Sequence, residues 1–477
     1  MSARGIATTW SVVTEDRATV LAALKRGECD GLLPAAAGFL DEFATFLDQH
    51  GLLQQFEHFP DPRQRQSILV PFFCNVLLHK QLFRLPRLAD IDRILFHSPD
   101  VLRKLGFNLR QIHEGFYQGS QQKPFAVEAL ADFFAAISPD QLQEHQRQFA
   151  RHLWQQFPLL ASSGVAILDA NTTTVPPGHH QRPGVQLKAC LLGIRAGGHL
   201  FPLLWDYTVR GPGEDADLTQ GKRLMAAATA ALGPGAIHHL IVDRGFIDGA
   251  WISDLNRGGL DTIIGLRDTM DLYQDMLGLS RLEDATWLAA PPPQLHQGPV
   301  PERTLCPLRD LNTWDACTVP LQGIVIRDTY PDRVQYQCLV TTDLTLTPPQ
   351  LHHYSRDRWS IEESFMDLTR YWPLDQVGSC RPAVARAQIH FLFLAYCLLH
   401  LFAHETQAQE QAVARRPSLL PGREITAYCG DHYAILLPSE LVTIILDHIK
   451  HWQKNREQLL AALRFCEGLS PPPRAPD

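Results

Sequence analysis

The sequence predicts an α/β protein with a strand-rich centre between helical ends. Near residue 160 the hydrophobic pattern changes from helical spacing to short apolar runs, and near residue 348 it changes back. Between those points the elements read as three strands, a helix, a strand, a helix and a strand.

Residues 1–155 read as helical. Apolar positions recur at helical spacing in LLPAAAGFLDEFATFLDQHGLLQQF and FAVEALADFFAAI. Ser138-Pro139-Asp140 supplies an N-cap followed by proline at the first helical position. The stretch LFRLPRLADIDRILFHSPDVLRKLGF is broken at Pro86 and at Ser98-Pro99. Nine basic residues fall between 63 and 110, namely Arg63, Arg65, Lys80, Arg84, Arg87, Arg93, Arg103, Lys104 and Arg110. Only Asp90, Asp92 and Asp100 oppose them, inside a chain of formal net charge −8. Short helices carrying such a cluster suit a DNA-binding module, and equally a helical cap with solvated charged faces.

Residues 156–269 hold the central elements. GVAILDA, VQLKACLLGI and LFPLLWDYTV are apolar runs separated by Pro176-Pro177-Gly178 and Gly197-Gly198, which predicts an antiparallel meander. DADLTQGKRLMAAATAAL reads as a helix, HHLIVDRGF as a strand, DGAWISDLNRGG as a helix and LDTIIGL as a strand. This is the order of a ribonuclease-H-like core. Residues 270–346 read as a β-rich insertion, too long for a structureless loop. Residues 347–405 return to helix, and RAQIHFLFLAYCLLHLFAH is apolar almost all round, so it reads as a buried helix. Residues 406–477 read as a helical region of mixed charge with a frayed tail at Pro471-Pro472-Pro473.

Composition excludes several classes. With 45% hydrophobic and 20% charged residues, the chain is neither collagenous, disordered nor a disulfide scaffold. The ten cysteines form no C-x-x-C pair, and Cys29, Cys74, Cys190 and Cys397 read as small core residues. The longest apolar run, Phe391–Leu399, falls well short of the roughly 18–20 residues that span a bilayer. MSARGIATTW lacks a signal-peptide core, so a cytoplasmic protein without a membrane partner is expected.

Three acids carry the chemistry. Asp169 ends the run GVAILD before the polar tract ANTTT, and Asp243 ends HHLIVD before Arg244, Gly245 and Phe246. Glu362 lies in RWSIEESF, an amphipathic helix. Carboxylates brought together repel unless a cation neutralises them, and oxygen-only ligation suits Mg²⁺ or Mn²⁺. Such sites serve two-metal phosphoryl transfer. Singly, each acid also has an ordinary reading: Asp169 as a turn or cap residue, Asp243 paired with Arg244, Glu362 paired with Arg358 one helical turn earlier.

LDANTTT, VDRGF and YSRDRWSIEESFMDL together resemble the catalytic blocks of DDE transposases from bacterial insertion sequences, above all the group named for a Tyr-Arg-Glu-Lys signature. The resemblance runs from roughly Val165 to Phe402. It implies metal-dependent cleavage and strand transfer of double-stranded DNA, at the element ends and at a target, by a homodimer in the nucleoid. It further implies two Mg²⁺ (or Mn²⁺) ions per site, with Asp169 bridging both and Asp243 and Glu362 each completing one. The signature's Arg and Glu match Arg358 and Glu362, whereas Ser355 and Thr369 stand at its Tyr and Lys positions. Tyr354 and Arg370 are sequence neighbours of those positions, each rotated about 100° on a helix.

Arg358 is a candidate bidentate phosphate contact. Arg244, Lys188, Arg195 and Arg210 are candidates near the core, and Arg84, Arg87 and Arg93 in the helical N-terminal region. The pairs His179-His180, His238-His239 and His352-His353 lack metalloprotease spacing and read as structural or solvent-facing. Trp287 and Trp314 suit either base stacking or ordinary packing. Two rival functions remain: a transposase-derived DNA-binding protein with weak or no catalysis, favoured by the acidic charge and the missing Lys, and a structure-selective nuclease.

Overall fold

The computed structural model describes residues 10–35, 39–64, 68–116, 124–175, 185–209, 216–292, 299–372, 374, 376, 377, 379, 381–406, 424–454 and 456–469. Pro176-Pro177-Gly178, His179-His180, Arg65, Arg210 and Pro471-Pro472-Pro473 lie outside them. The chain forms two compact units. One is the continuous stretch Gln146–Asp375; the other joins Met1–His145 to Gln376–Asp477.

The first segment of the discontinuous unit contributes β1 (Thr14–Glu15), α1 (Arg17–Lys25), β2 (Gly31–Pro34), α2 (Phe39–Gln49), α3 (Val70–Leu82), α4 (Pro99–Lys104), α5 (Leu109–Glu114) and α6 (Val127–Ala135). Asp16 caps α1 through the Thr19 N–H, and Asn108 with Gln111 forms a capping box on α5. Every residue of α3 is buried, Asn75, His79, Lys80 and Gln81 included.

This burial takes several of the basic residues between 63 and 110 out of reach of solvent. Lys80, Arg103 and Lys104 are buried, Arg63 forms a two-pronged pair with Asp61, and Arg110 pairs with Glu114. Lys104 sits between Asp41 and Asp100, and the Tyr428 hydroxyl donates to Asp100 at 2.6 Å. Arg87 and Arg93 remain exposed, and Arg84 is half-buried just after α3 with φ of 52°.

α7 (Pro139–Gln156) leads into the continuous unit. There α8 (Pro158–Ser163) precedes β3 (Val165–Val175), β4 (Val185–Ala196), β5 (His199–Val209), α9 (Ala216–Leu232), β6 (His239–Val242), α10 (Gly249–Arg257) and β7 (Asp261–Gly265). Then come α11 (Asp271–Leu279), β8 (Leu288–Ala290), β9 (Glu302–Leu311), β10 (Leu321–Thr329), β11 (Val334–Thr341), α12 (Pro348–Asp357) and α13 (Trp359–Arg370). One nine-stranded sheet runs β5-β4-β3-β6-β7-β11-β10-β9-β8. β5, β4 and β3 pair antiparallel, β3, β6 and β7 parallel, and β11 joins β7 antiparallel.

The central strands β6 and β7 are short and bury consecutive residues, Leu240–Val242 and Thr262–Ile264, as strands covered on both faces do. The strands of the expected insertion extend this sheet, and α11 is a helix that the sequence did not mark. α12 and α13 meet at Arg358, so Arg358, Glu362 and Thr369 do not share one unbroken helix.

The chain then returns to the discontinuous unit with α14 (Pro382–Glu405), β12 (Ile425–Cys429), β13 (His432–Leu436), α15 (Pro438–Asp447), α16 (Ile449–Trp452) and α17 (Arg456–Leu469). α14 is long and apolar enough to cross a bilayer by length and composition, and its most apolar window is 89% buried. β1, β13, β12 and β2 form a four-stranded sheet, in that order. Four strands thus lie in regions that read as helical. They are too short for period alone to separate strand from helix.

Candidate active site

Register places two of the three acids. The parallel ladder between β3 and β6 ends at Leu168 opposite Val242, so Asp169 and Asp243 are the next residue on each strand. On its other side Asp169 remains within the sheet, paired with Leu191 of β4. It therefore lies inside an eleven-residue strand rather than just past one. Asp243 caps a 3-10 turn over Arg244–Phe246, its carboxylate accepting from the Gly245 N–H at 3.3 Å. Phe246 is buried beneath α9, where Gly221 permits the close approach: a Cβ there would lie 2.8 Å from the Phe246 ring and 3.0 Å from Leu168.

Glu362 comes from the first turn of α13, whose buried face is Ile361, Phe365 and Leu368. Arg358 joins the three acids. Its guanidinium lies 3.6 Å from Asp169 Oδ2, 3.3 Å from Asp243 Oδ1 and 2.6 Å from Glu362 Oε1. The middle of one strand, the end of another and one helix thus bring three carboxylates around a single cation. Burial pushes the Asp169 carboxyl up to about 6; Asp243 and Glu362 push the same way, against the Ala170 N–H and Arg358. An all-oxygen donor set that already holds a cation fits a hard divalent ion.

The other candidates are placed differently. Lys188 pairs with Asp217 of α9, and Arg195 pairs with Asp357 at 3.2 Å. Arg244 is exposed, and its carbonyl accepts from Arg267. The Thr369 hydroxyl donates back to the carbonyls of Phe365 and Met366, and Ser355 to that of His352. Tyr354 stacks on His239 with centroids 5.3 Å apart. Arg327 covers Trp287 at 4.1 Å. Arg84, Arg87 and Arg93 belong to the other unit.

The sequence pattern did not single out Asp217, beside Gly245, or Asp343, which pairs with His239. Neither sits in a signature word, and only the tertiary fold gives them partners.

Acids gathered on and beside adjacent parallel strands suit metal-assisted phosphoryl transfer. Residues 161–398 match the family model of the transposase DDE domain. The chain belongs to the DDE-type transposases, enzymes that act on DNA by cleaving and transferring strands. Comparison with curated proteins gives no match.

Proposed function

We propose that this transposase carries its catalytic centre on a ribonuclease-H-like core, with Asp169, Asp243 and Glu362 as catalytic and metal-binding carboxylates. One observation carries the reading: the contact of Arg358 with acids from three separate elements. Asp169, Asp243 and Glu362 would together hold two Mg²⁺ (or Mn²⁺) ions. When bound, the ions activate a water or a DNA 3′-hydroxyl and stabilise the leaving oxygen.

Arg358 neutralises the acids in the metal-free protein and turns to a DNA phosphate once metal and DNA enter. Two positions of the Tyr-Arg-Glu-Lys signature are kept. The other two are held by Ser355 and Thr369, whose hydroxyls bond to helix carbonyls instead. Residues 1–155 supply further DNA contacts through Arg84, Arg87 and Arg93, with Arg244 and Lys188 near the core. Residues 156–269 and the part of 347–405 before α14 form the core, 270–346 its β-rich insertion and 406–477 the C-terminal region, α14 belonging to the discontinuous unit. The enzyme works in the cytoplasm, bound to the nucleoid, as a homodimer that pairs two element ends.

Asp169→Asn and Glu362→Gln each remove one charged ligand at nearly constant volume. Both are expected to abolish Mg²⁺-dependent nicking of a plasmid bearing the element's ends while leaving circular dichroism unchanged. Nicking within a few-fold of wild type for both variants would refute the assignment.

A further inference from the structure

The catalytic sheet carries a second cluster of metal-ligand type, at the opposite ends of the same strands. His239 is the first residue of β6, and it is paired with Asp261, the first residue of β7. Asp343 follows the end of β11, which lies on the other side of β7. One ligand atom from each of the three lies within 4.8 Å of the others. Four residues of strand, roughly 13 Å, separate His239 from Asp243, so this cluster is distinct from the triad.

The hydrogen bonds sort the oxygens of the cluster. Asp261 Oδ1 accepts from Asn256 Nδ2 at 2.8 Å and from the Thr342 hydroxyl at 2.9 Å. Its Oδ2 accepts no hydrogen bond among the described residues. Asp343 Oδ1 accepts from the Thr345 N–H and hydroxyl, while Oδ2 faces His239 Nε2 at 2.8 Å. Each carboxylate thus has one oxygen held by neighbouring donors, as outer partners orient metal-binding carboxylates. The Tyr354 ring lies against the imidazole. One imidazole nitrogen with two carboxylate oxygens matches Zn²⁺, whose three-ligand sites add a water as fourth ligand.

The geometry points to a zinc site at His239, Asp261 and Asp343 that ties β6, β7 and β11 together at the pole away from the catalytic acids.

The test uses the full chain, stripped with a chelator and titrated with Zn²⁺ against a chromophoric zinc indicator. An Asp169→Asn, Glu362→Gln background with Mg²⁺ in excess removes the triad's contribution. One Zn²⁺ per chain is expected in that background, with a zinc-dependent rise in melting temperature. Asp261→Asn keeps Oδ1 for Asn256 and Thr342, so its metal-free melting temperature should match the parent. Its zinc affinity should fall at least a hundredfold and the zinc-dependent rise should vanish. His239→Gln serves as a second variant with the same expected loss. No stoichiometric zinc in the triad-substituted chain, or zinc binding and thermal shift unchanged in either variant, would overturn the proposal.

Discussion

Arg358 is the residue on which the site turns. A guanidinium in contact with three carboxylates balances their charge as a divalent cation would, so on the proposed reading the two would compete for the same oxygens. At an effective dielectric of about 20, a unit charge ~4 Å away interacts at about 4 kcal/mol. Arg358 keeps part of its side chain in solvent, so screening leaves a smaller share. Arg358→Gln should therefore bind Mn²⁺ on the order of tenfold more tightly without DNA, as read by calorimetry. It should also cleave DNA more slowly, because the phosphate contact goes with the charge. Equal or weaker Mn²⁺ binding would mean that Arg358 organises the acids rather than competing for them. The three acids that Arg358 contacts were each marked in the sequence, Asp169 and Asp243 by the apolar runs they close and Glu362 by its place in RWSIEESF. That Arg358 faces all three was not, because its approach to Asp169 and Asp243 depends on where α12 ends relative to β3 and β6.

At the scale of elements, the position of the second acid depends on the fit of α9 over the turn that follows β6. Gly221 leaves no room for a side chain against Phe246 and Leu168. Gly221→Val should cost about 1–3 kcal/mol by overpacking, seen as a lower melting temperature. It should also reduce cleavage by more than its stability loss explains, because Phe246 anchors the turn that Asp243 caps. Unchanged activity at permissive temperature would separate packing from positioning. The order of strands and helices around the acids was legible because long apolar runs and turn residues alternate there. α11 was hidden among strand-like segments. β1, β2, β12 and β13 were hidden by their length and by helical neighbours.

Charge also looks different across the molecule than along the chain. Of the nine basic residues between 63 and 110, Lys80, Arg103 and Lys104 are interior. Sequence counts charges but does not show which are turned inward. Reversing Arg84, Arg87 and Arg93 should weaken DNA binding. The plot of log affinity against log salt should also flatten, by nearly one unit for each DNA phosphate that these arginines no longer neutralise. An unchanged slope would move the DNA surface elsewhere.

Lys104 is held by Asp41 and Asp100, and Lys104→Met should cost about 3–5 kcal/mol at pH 8 by leaving buried carboxylates without their cation. Burial raises the Asp41 pKa from 3.8 to about 6, against the pull of Lys104. Protonation of Asp41 therefore favours the folded state, fully below the unfolded value and less and less as pH rises through about 6. Without Lys104 that folded pKa rises further, so the penalty of Lys104→Met should shrink at pH 5. Denaturant unfolding at the two pH values checks this, and a pH-independent penalty would count against it.

The four-stranded sheet also imposes an order in time. Thr14 of β1 pairs with His432 of β13, 418 positions later. At roughly 5–20 residues per second of synthesis, β1 waits about 20–80 s for that partner. All nine strands of the catalytic sheet leave the ribosome within the interval. The sheet that bears Asp169 and leads into Asp243 can thus be complete while the unit carrying Arg84, Arg87 and Arg93 is still half made. A nascent chain would finish the sheet of its proposed chemistry before the unit proposed to grip DNA.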